Sequence, residues 1–235
     1  MKEGRMLAEI NEEIRKSLAQ NRRNSDECQL IAVSKKQSLD AILKVFHEGQ
    51  TAFGENYVQE GVEKIQQLSK DIRAQSVWHM IGPLQSNKAK LVAQHFDWVQ
   101  TITSLKTAQK LSQHREEGKP LNICIQINID DSDAKSGVAS EVKVITELAL
   151  SLNLLPSIKV RGLMAMPDVH TEEETLACFK KAKMLFDKVK IALGQEVGHE
   201  FDTLSMGMSG DFPLAIQAGA TMVRIGTAVF GARQY

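Results

Sequence analysis

Apolar residues fall along this chain in short unbroken runs, each followed by a stretch in which they recur at helical spacing. Leu30-Ile31-Ala32-Val33 is the first such run, and its lack of alternation is that of a strand buried on both faces. Behind it Ser38 precedes Leu39, Ile42, Leu43 and Phe46 at helical spacing, and Gly49 supplies a C-terminal stop. The pattern repeats, predicting further strands over residues 51–56, 77–82, 98–101, 121–129, 160–166, 203–206 and 222–225. Helices are predicted over residues 58–68, 84–96, 104–117, 140–152, 171–193 and 212–217, the fifth of these opened by the capping-box pair Thr171 and Glu174. An amphipathic helix over residues 6–22, with Leu7, Ile10, Ile14 and Leu18 on one side, precedes the first strand. About eight strand–helix units without a linker predict a single-domain (β/α)8 TIM barrel spanning residues 1–235. An open doubly wound sheet meets the same pattern, because periodicity does not show closure.

Charge narrows the partners. Lys plus Arg and Asp plus Glu number 29 each, and no basic run is interleaved with aromatics, which make up 5% of the chain, so neither nucleic acid nor another polyanion is expected as a ligand. The three cysteines, Cys28, Cys124 and Cys178, have no paired ligand spacing, which fits reduced thiols and no metal site. With no apolar signal segment and no apolar run approaching about 18 residues, a cytoplasmic protein without a membrane anchor is expected.

In parallel α/β folds the carboxyl ends of the strands carry the chemistry. Here those ends bring Lys35, Asn56, His79, Asn128, Met166, Met206 and Arg224 to one face. Lysine after a strand is ordinarily a solvated loop residue, so Lys35 and Lys36 gain meaning only from what else collects there. After the last two strands, Gly207-Met208-Ser209-Gly210-Asp211 opens a short helix, and Ile225-Gly226-Thr227-Ala228 forms a second small-residue turn. Barrels often bind phosphate at these two loops, where glycines admit an anion close to the backbone and hydroxyls such as those of Ser209 and Thr227 donate to it. The plainer alternative is that the glycines are turn residues and Ser209 a helix cap. A strand-end amine beside an anion cradle, with a second cation in Lys36 or Arg224 to favour the free base, asks for a ligand bearing a carbonyl and a phosphate. Pyridoxal 5′-phosphate (PLP) and the sugar phosphate of a Schiff-base aldolase both satisfy that requirement.

The segments Ala32-Val33-Ser34-Lys35, Phe53-Gly54-Glu55-Asn56-Tyr57-Val58-Gln59-Glu60, Trp78-His79-Met80-Ile81-Gly82-Pro83-Leu84-Gln85-Ser86-Asn87-Lys88, Lys135-Ser136-Gly137, Arg161-Gly162-Leu163-Met164-Ala165-Met166, Leu204-Ser205-Met206-Gly207-Met208-Ser209 and Val223-Arg224-Ile225-Gly226-Thr227 resemble, in this order, the pyridoxal phosphate homeostasis protein family. The resemblance implies a barrel of the alanine-racemase type (PLP fold type III) with PLP in Schiff-base linkage to Lys35. By the same resemblance Ser209, Arg224, Gly226 and Thr227 are phosphate-binding positions, Asn56 lies near the cofactor, and Lys135 is an accessory contact. Lys36 and the sequence Gly210-Asp211-Phe212 after Ser209 depart from the family pattern. Racemases built on this barrel use a second base, commonly a tyrosine from a separate β domain; the tyrosines here are Tyr57 and Tyr235 and no β domain is expected, while His79, near a strand end, is an alternative base whose favoured reading is a hydrogen-bonded structural histidine. No catalytic residue is therefore assigned. The resemblance implies a carrier that buffers or delivers PLP in vitamin B6 homeostasis, affects amino-acid balance and has PLP-dependent apoenzymes as partners. A weak PLP-dependent amino-acid racemase is the alternative. A monomer is expected, since no dimerisation element is recognised.

Overall fold

The computed structural model describes residues 6–130, 136–169 and 171–231. Nine parallel strands are described: β1 (Gln29–Val33), β2 (Ala52–Glu55), β3 (Val77–Met80), β4 (Trp98–Ile102), β5 (Leu121–Asn128), β6 (Val138–Ala139), β7 (Ile158–Ala165), β8 (Thr203–Ser205) and β9 (Met222–Ile225). Eight of them close a barrel in the order β1-β2-β3-β4-β5-β7-β8-β9, with β9 returning to β1 through the pairs Gln29–Met222 to Ala32–Ile225. Closure excludes the open sheet, and the predicted strands are these eight. The two-residue β6 pairs on the outer edge of β5, at Ile127–Val138 and Asn128–Ala139; it has no apolar run by which the sequence could announce it.

The strands are unbroken apolar runs because both faces are covered. Leu30 and Ala32 of β1 join the main core under the surrounding helices, together with Val223 and Ile225 of β9. The alternate residues Ile31 and Met222 point into the barrel, where they pack with Ala52, Trp98, Cys124 and Met164. Burial pushes the Cys124 thiol up to about 12, so this cysteine is an inert filler of the barrel interior.

Helix starts follow the side chains that cap them. Ser38 accepts the Ala41 N–H ahead of Leu39–His47, Ser104 accepts the Thr107 N–H ahead of Leu105–His114, and Thr171 with Glu174 completes a capping box ahead of Glu172–Ala192. The first helix, Met6–Gln20, packs on Phe212–Gln217 and Thr227–Phe230 and buries Leu7, Ile10, Ile14 and Leu18. The stretch 84–96 departs from the single helix predicted: Gln85 is extended, a 3-10 turn covers Ser86–Lys88, and the α-helix proper runs Ala89–His95. Pro83 fixes its own φ and offers no N–H, so the chain leaves β3 extended before it can coil. Two short helices, Lys70–Gln75 and Gly194–Gly198, carry too little apolar periodicity to be predicted. Among the described residues no helix is long and apolar enough to cross a membrane.

Candidate functional site at the barrel mouth

Side-chain alternation decides what reaches the mouth. Ile31 points into the barrel, and Val33 and Lys35, two and four residues on, line a cavity of about 220 Å³ at its carboxyl end. Met222, Arg224 and Gly226 follow the same parity from β9. Six residues singled out in the sequence, Lys35, Asn56, Ser209, Arg224, Gly226 and Thr227, all line this one cavity, with Gln37, Ile81, Met166 and Met208. Lys36 does not: it takes a positive φ of 60° as the chain leaves the strand and is exposed. Lys135 and Tyr235 fall outside the described residues.

Arg224 is 5% exposed and is the cation of the cavity wall beside Lys35. Its Nη1 donates to Ser205 Oγ at 2.7 Å and its Nη2 to the Ala165 carbonyl at 3.2 Å. Burial lowers its pKa to about 10, with Asp211 opposing that shift, and it stays positive at neutral pH. Asp211 makes no ion pair with it; its Oδ1 accepts the Met208 N–H at 2.6 Å and so pins the loop after β8. That loop also depends on Gly207, whose φ of +95° and 2.5 Å spacing between a notional Cβ and Ala215 Cβ admit no side chain.

Asn56 is set by a close approach. A Cβ on Gly82 would stand 2.1 Å from the Asn56 carbonyl oxygen, and Thr101 Oγ1 holds the Gly82 carbonyl at 2.7 Å from the other side. Asn56 Oδ1 is buried without a hydrogen-bond partner, an acceptor that a bound group can satisfy. Gly82→Ala is expected to displace Asn56, cost about 1–3 kcal/mol in stability and weaken ligand retention; an unchanged melting temperature and affinity would show that the turn absorbs the methyl.

Two further sets of residues hinge on side chains outside the quoted motifs, Lys64 and Gln100. Glu55, fully buried at the end of β2, accepts hydrogen bonds from Lys64 Nζ at 2.8 Å and Ser34 Oγ at 2.6 Å. Lys64 Nζ also reaches the Ser34 carbonyl at 2.7 Å and Glu60 at 2.7 Å, while Glu60 accepts the Lys36 N–H. The backbone on both sides of Lys35 is thereby fixed. Burial pushes the Glu55 carboxyl up, and the Lys64 charge pulls it back. In sequence, Lys64 lies four residues after Glu60 and reads as an ordinary surface pair. The second set, His79 and Gln100, is buried in the barrel below the cavity. Burial lowers the pKa of His79 to about 3, so the ring is neutral, and it is not a cavity-lining group.

A second hollow of about 270 Å³ adjoins the cavity, sharing Asn56, Ile81 and Met166 and reaching Gln126 and Asn128. Met206, another strand-end residue, is buried in the core instead. Among the described residues no group of three or more His, Cys, Asp or Glu could hold a metal ion.

Comparison with known proteins identifies the family and the fold. The family model for the alanine racemase N-terminal domain matches residues 11–234. The pyridoxal phosphate homeostasis protein of Pasteurella multocida (strain Pm70) is 48% identical over 235 residues, 97% of each chain. That of Escherichia coli (strain K12) is 45% identical over 230 residues, 97% of this chain and 96% of the relative. The structure of PipY from Synechococcus elongatus PCC7942 with PLP bound is 33% identical, with a TM-score of 0.74 over 93% of this chain and 100% of PipY. The alanine racemase of Clostridium difficile 630 shares the fold at 16% identity, with a TM-score of 0.71 over 94% of this chain and 55% of the racemase. With a family model along nearly its whole length and relatives close to half identical, the chain belongs to the pyridoxal phosphate homeostasis proteins, within the alanine racemase N-terminal domain family.

Proposed function

We propose that this protein binds PLP in the cavity at the barrel mouth, holds it covalently through Lys35, and buffers or delivers it within the cytoplasm, with effects on amino-acid balance. The observation that carries the reading is the lining itself: among the described residues Lys35 and Arg224 are its only ionisable side chains, an amine and a buried guanidinium that donates to the Ser205 hydroxyl and the Ala165 carbonyl. That donor set fits the group. Ser209, Gly226 and Thr227 are at hand for a phosphate, Arg224 offers N–H donors to an anionic or basic ring atom, and the Asn56 oxygen awaits a donor. Bound PLP supplies an aldehyde that condenses with an unprotonated amine, releasing water. Lys35 provides that amine, Arg224 holds positive charge against the ligand, and the rigid ends of β1 and β9 keep the two in register.

A racemase needs a proton-transfer group on each face of its substrate carbon. Tyr57 is 54% exposed and is not a cavity-lining residue, and His79 is buried away from it. This supports holding and transfer over turnover; the recipients in this reading are PLP-dependent apoenzymes, and the carrier is a monomer.

The test is PLP titration followed by borohydride reduction and fragmentation mapping of the labelled peptide. One adduct on Lys35 and none on Lys36 is expected. Absence of a specific adduct would overturn the reading. Incubation of the holoprotein with single amino-acid enantiomers in deuterated water is expected to leave their configuration unchanged, and steady loss of optical rotation with label at Cα would establish the racemase instead.

A further inference from the structure

Inside the barrel, beneath the cavity, a row of polar side chains replaces the hydrocarbon that ordinarily fills this position. It starts at Arg224 Nη1, which donates to Ser205 Oγ at 2.7 Å. Ser205 Oγ is 2.7 Å from Gln100 Oε1, and Gln100 Nε2 is 3.1 Å from His79 Nδ1. The strands β9, β8, β4 and β3 contribute one residue each, so the row crosses the barrel from wall to wall. Ser205, Gln100 and His79 are 0% exposed and Arg224 is 5% exposed.

Donor and acceptor capacity fixes the direction of the row. A guanidinium has no acceptor, so Ser205 Oγ must accept from Arg224. The one hydroxyl proton of Ser205 then goes to Gln100 Oε1, which leaves the Gln100 amide N–H facing His79 Nδ1. That nitrogen must carry a lone pair, and the ring proton sits on Nε2. The ring is held flat against Trp98, with centroids 5.2 Å apart and 19° between planes, and the guanidinium of Arg161 stacks on Trp98 at 5.1 Å. His79 therefore has one orientation and one tautomer, and the row ends in a fixed acceptor.

The cost of this row has to be met by something it does. Four polar groups have been taken out of water where apolar side chains would pack with no desolvation penalty, and His79 Nε2 is buried without a partner. What the row provides is an aim for Arg224. Of the five N–H donors of a guanidinium, two are engaged by Ser205 and the Ala165 carbonyl, and the residue lines the cavity. A carboxylate in this place would orient the cation too, but it would also neutralise it; a chain of dipoles orients it and leaves the charge for the ligand.

We propose that Ser205, Gln100 and His79 are positioning residues that hold Arg224 in one orientation and so set both the affinity of the cavity for PLP and the electronic environment of the bound cofactor. The inference rests on the reading of the cavity as a PLP site and deepens it. No residue of the row other than Arg224 lines the cavity, so the effect on the ligand is transmitted through the guanidinium.

The experiment measures PLP and pyridoxal dissociation constants, the absorption maximum of the bound cofactor and the borohydride adduct for the native protein, Gln100→Leu, Ser205→Ala and Ser205→Thr, with melting temperatures as a fold control. Gln100→Leu and Ser205→Ala are expected to weaken PLP binding by about tenfold, the effect of one charge-linked hydrogen bond, and to shift the absorption maximum, while the adduct stays on Lys35. Ser205→Thr, which keeps the hydroxyl, is expected to restore both. A loss for PLP without a matching loss for pyridoxal places Arg224 on the phosphate; equal losses place it on the ring. Folded variants with unchanged affinity and spectrum would overturn the inference, as would Ser205→Thr behaving like Ser205→Ala. If Gln100→Leu fails to fold, the serine pair decides alone. A native protein that binds no PLP overturns the functional reading itself, and that outcome is distinct from native binding that the variants leave untouched.

Discussion

Lys35→Ala is expected to abolish the borohydride-trapped adduct and to weaken PLP retention by about a hundredfold or more, roughly 2.7 kcal/mol, whereas Lys36→Ala is expected to leave both within about twofold, as for an ordinary solvated side chain. The asymmetry between neighbours is geometric. Ile31 and Val33 lie on the inward face of β1, and Lys35, in the turn two residues beyond its end, lines the same cavity as Val33. Lys36 leaves that face, turns through a left-handed φ of 60° and is exposed. Equilibrium dialysis and peptide mapping of the reduced proteins measure the two effects. In Lys35→Ala the phosphate and ring contacts remain, so weak, non-covalent binding is expected to survive and to be reversed by dialysis. Equal retention in the two variants would mean that the holding force lies with Arg224 and the loops after β8 and β9 and that the covalent link adds little.

The barrel was legible in the sequence because parallel strands covered on both faces leave unbroken apolar runs, and because helix-capping residues such as Ser38, Ser104 and Thr171 mark where coiling begins. Closure was not legible, since the β1–β9 register joins residues almost two hundred positions apart. The cavity lining was legible in part. Lys35 and the turns at Ser209 and Gly226 stand at strand ends, where side chains of many strands converge. Lys35 could have been separated from Lys36 on parity alone, by counting inward positions from Ile31. The supporting residues were harder. Gln100 within an apolar strand and Glu55 at the end of another are signals, since a polar residue in a run covered on both faces needs a partner. The partners themselves, Ser205 for Gln100 and Lys64 for Glu55, come from other elements and carry no local mark.

The Glu55–Lys64 pair is where the largest loss of stability is expected. Lys64→Met removes the ammonium that neutralises a fully buried carboxylate, and it deprives the Ser34 carbonyl and Glu60 of their donor. Leaving one partner of a buried ion pair uncompensated costs about 3–5 kcal/mol, on the order of a 10 °C fall in melting temperature for a chain of this size. The pH dependence identifies the cause. Glu55 is held above its ordinary value of 4.5, chiefly by burial, with the Lys64 charge opposing that rise. Without Lys64 the opposition is gone and the carboxyl rises further. A raised carboxyl binds its proton more tightly in the folded than in the unfolded chain, so its contribution to stability is complete below the ordinary value and is lost as pH rises through the folded one. The deficit of Lys64→Met relative to the native protein is therefore expected to be widest in mildly alkaline buffer and to narrow as pH falls toward 4.5. Adding Glu55→Gln, which removes the buried charge, is expected to recover a large part of the loss at high pH, and urea unfolding of the single and double variants at several pH values measures it. A deficit that is flat with pH and unrelieved by Glu55→Gln would assign the loss to packing of the lysine stem. Because Lys64 also holds the Ser34 carbonyl and its partner Glu60 holds the Lys36 N–H, folded Lys64→Met is expected to retain PLP less well than the native protein even though residue 64 is not among those lining the cavity.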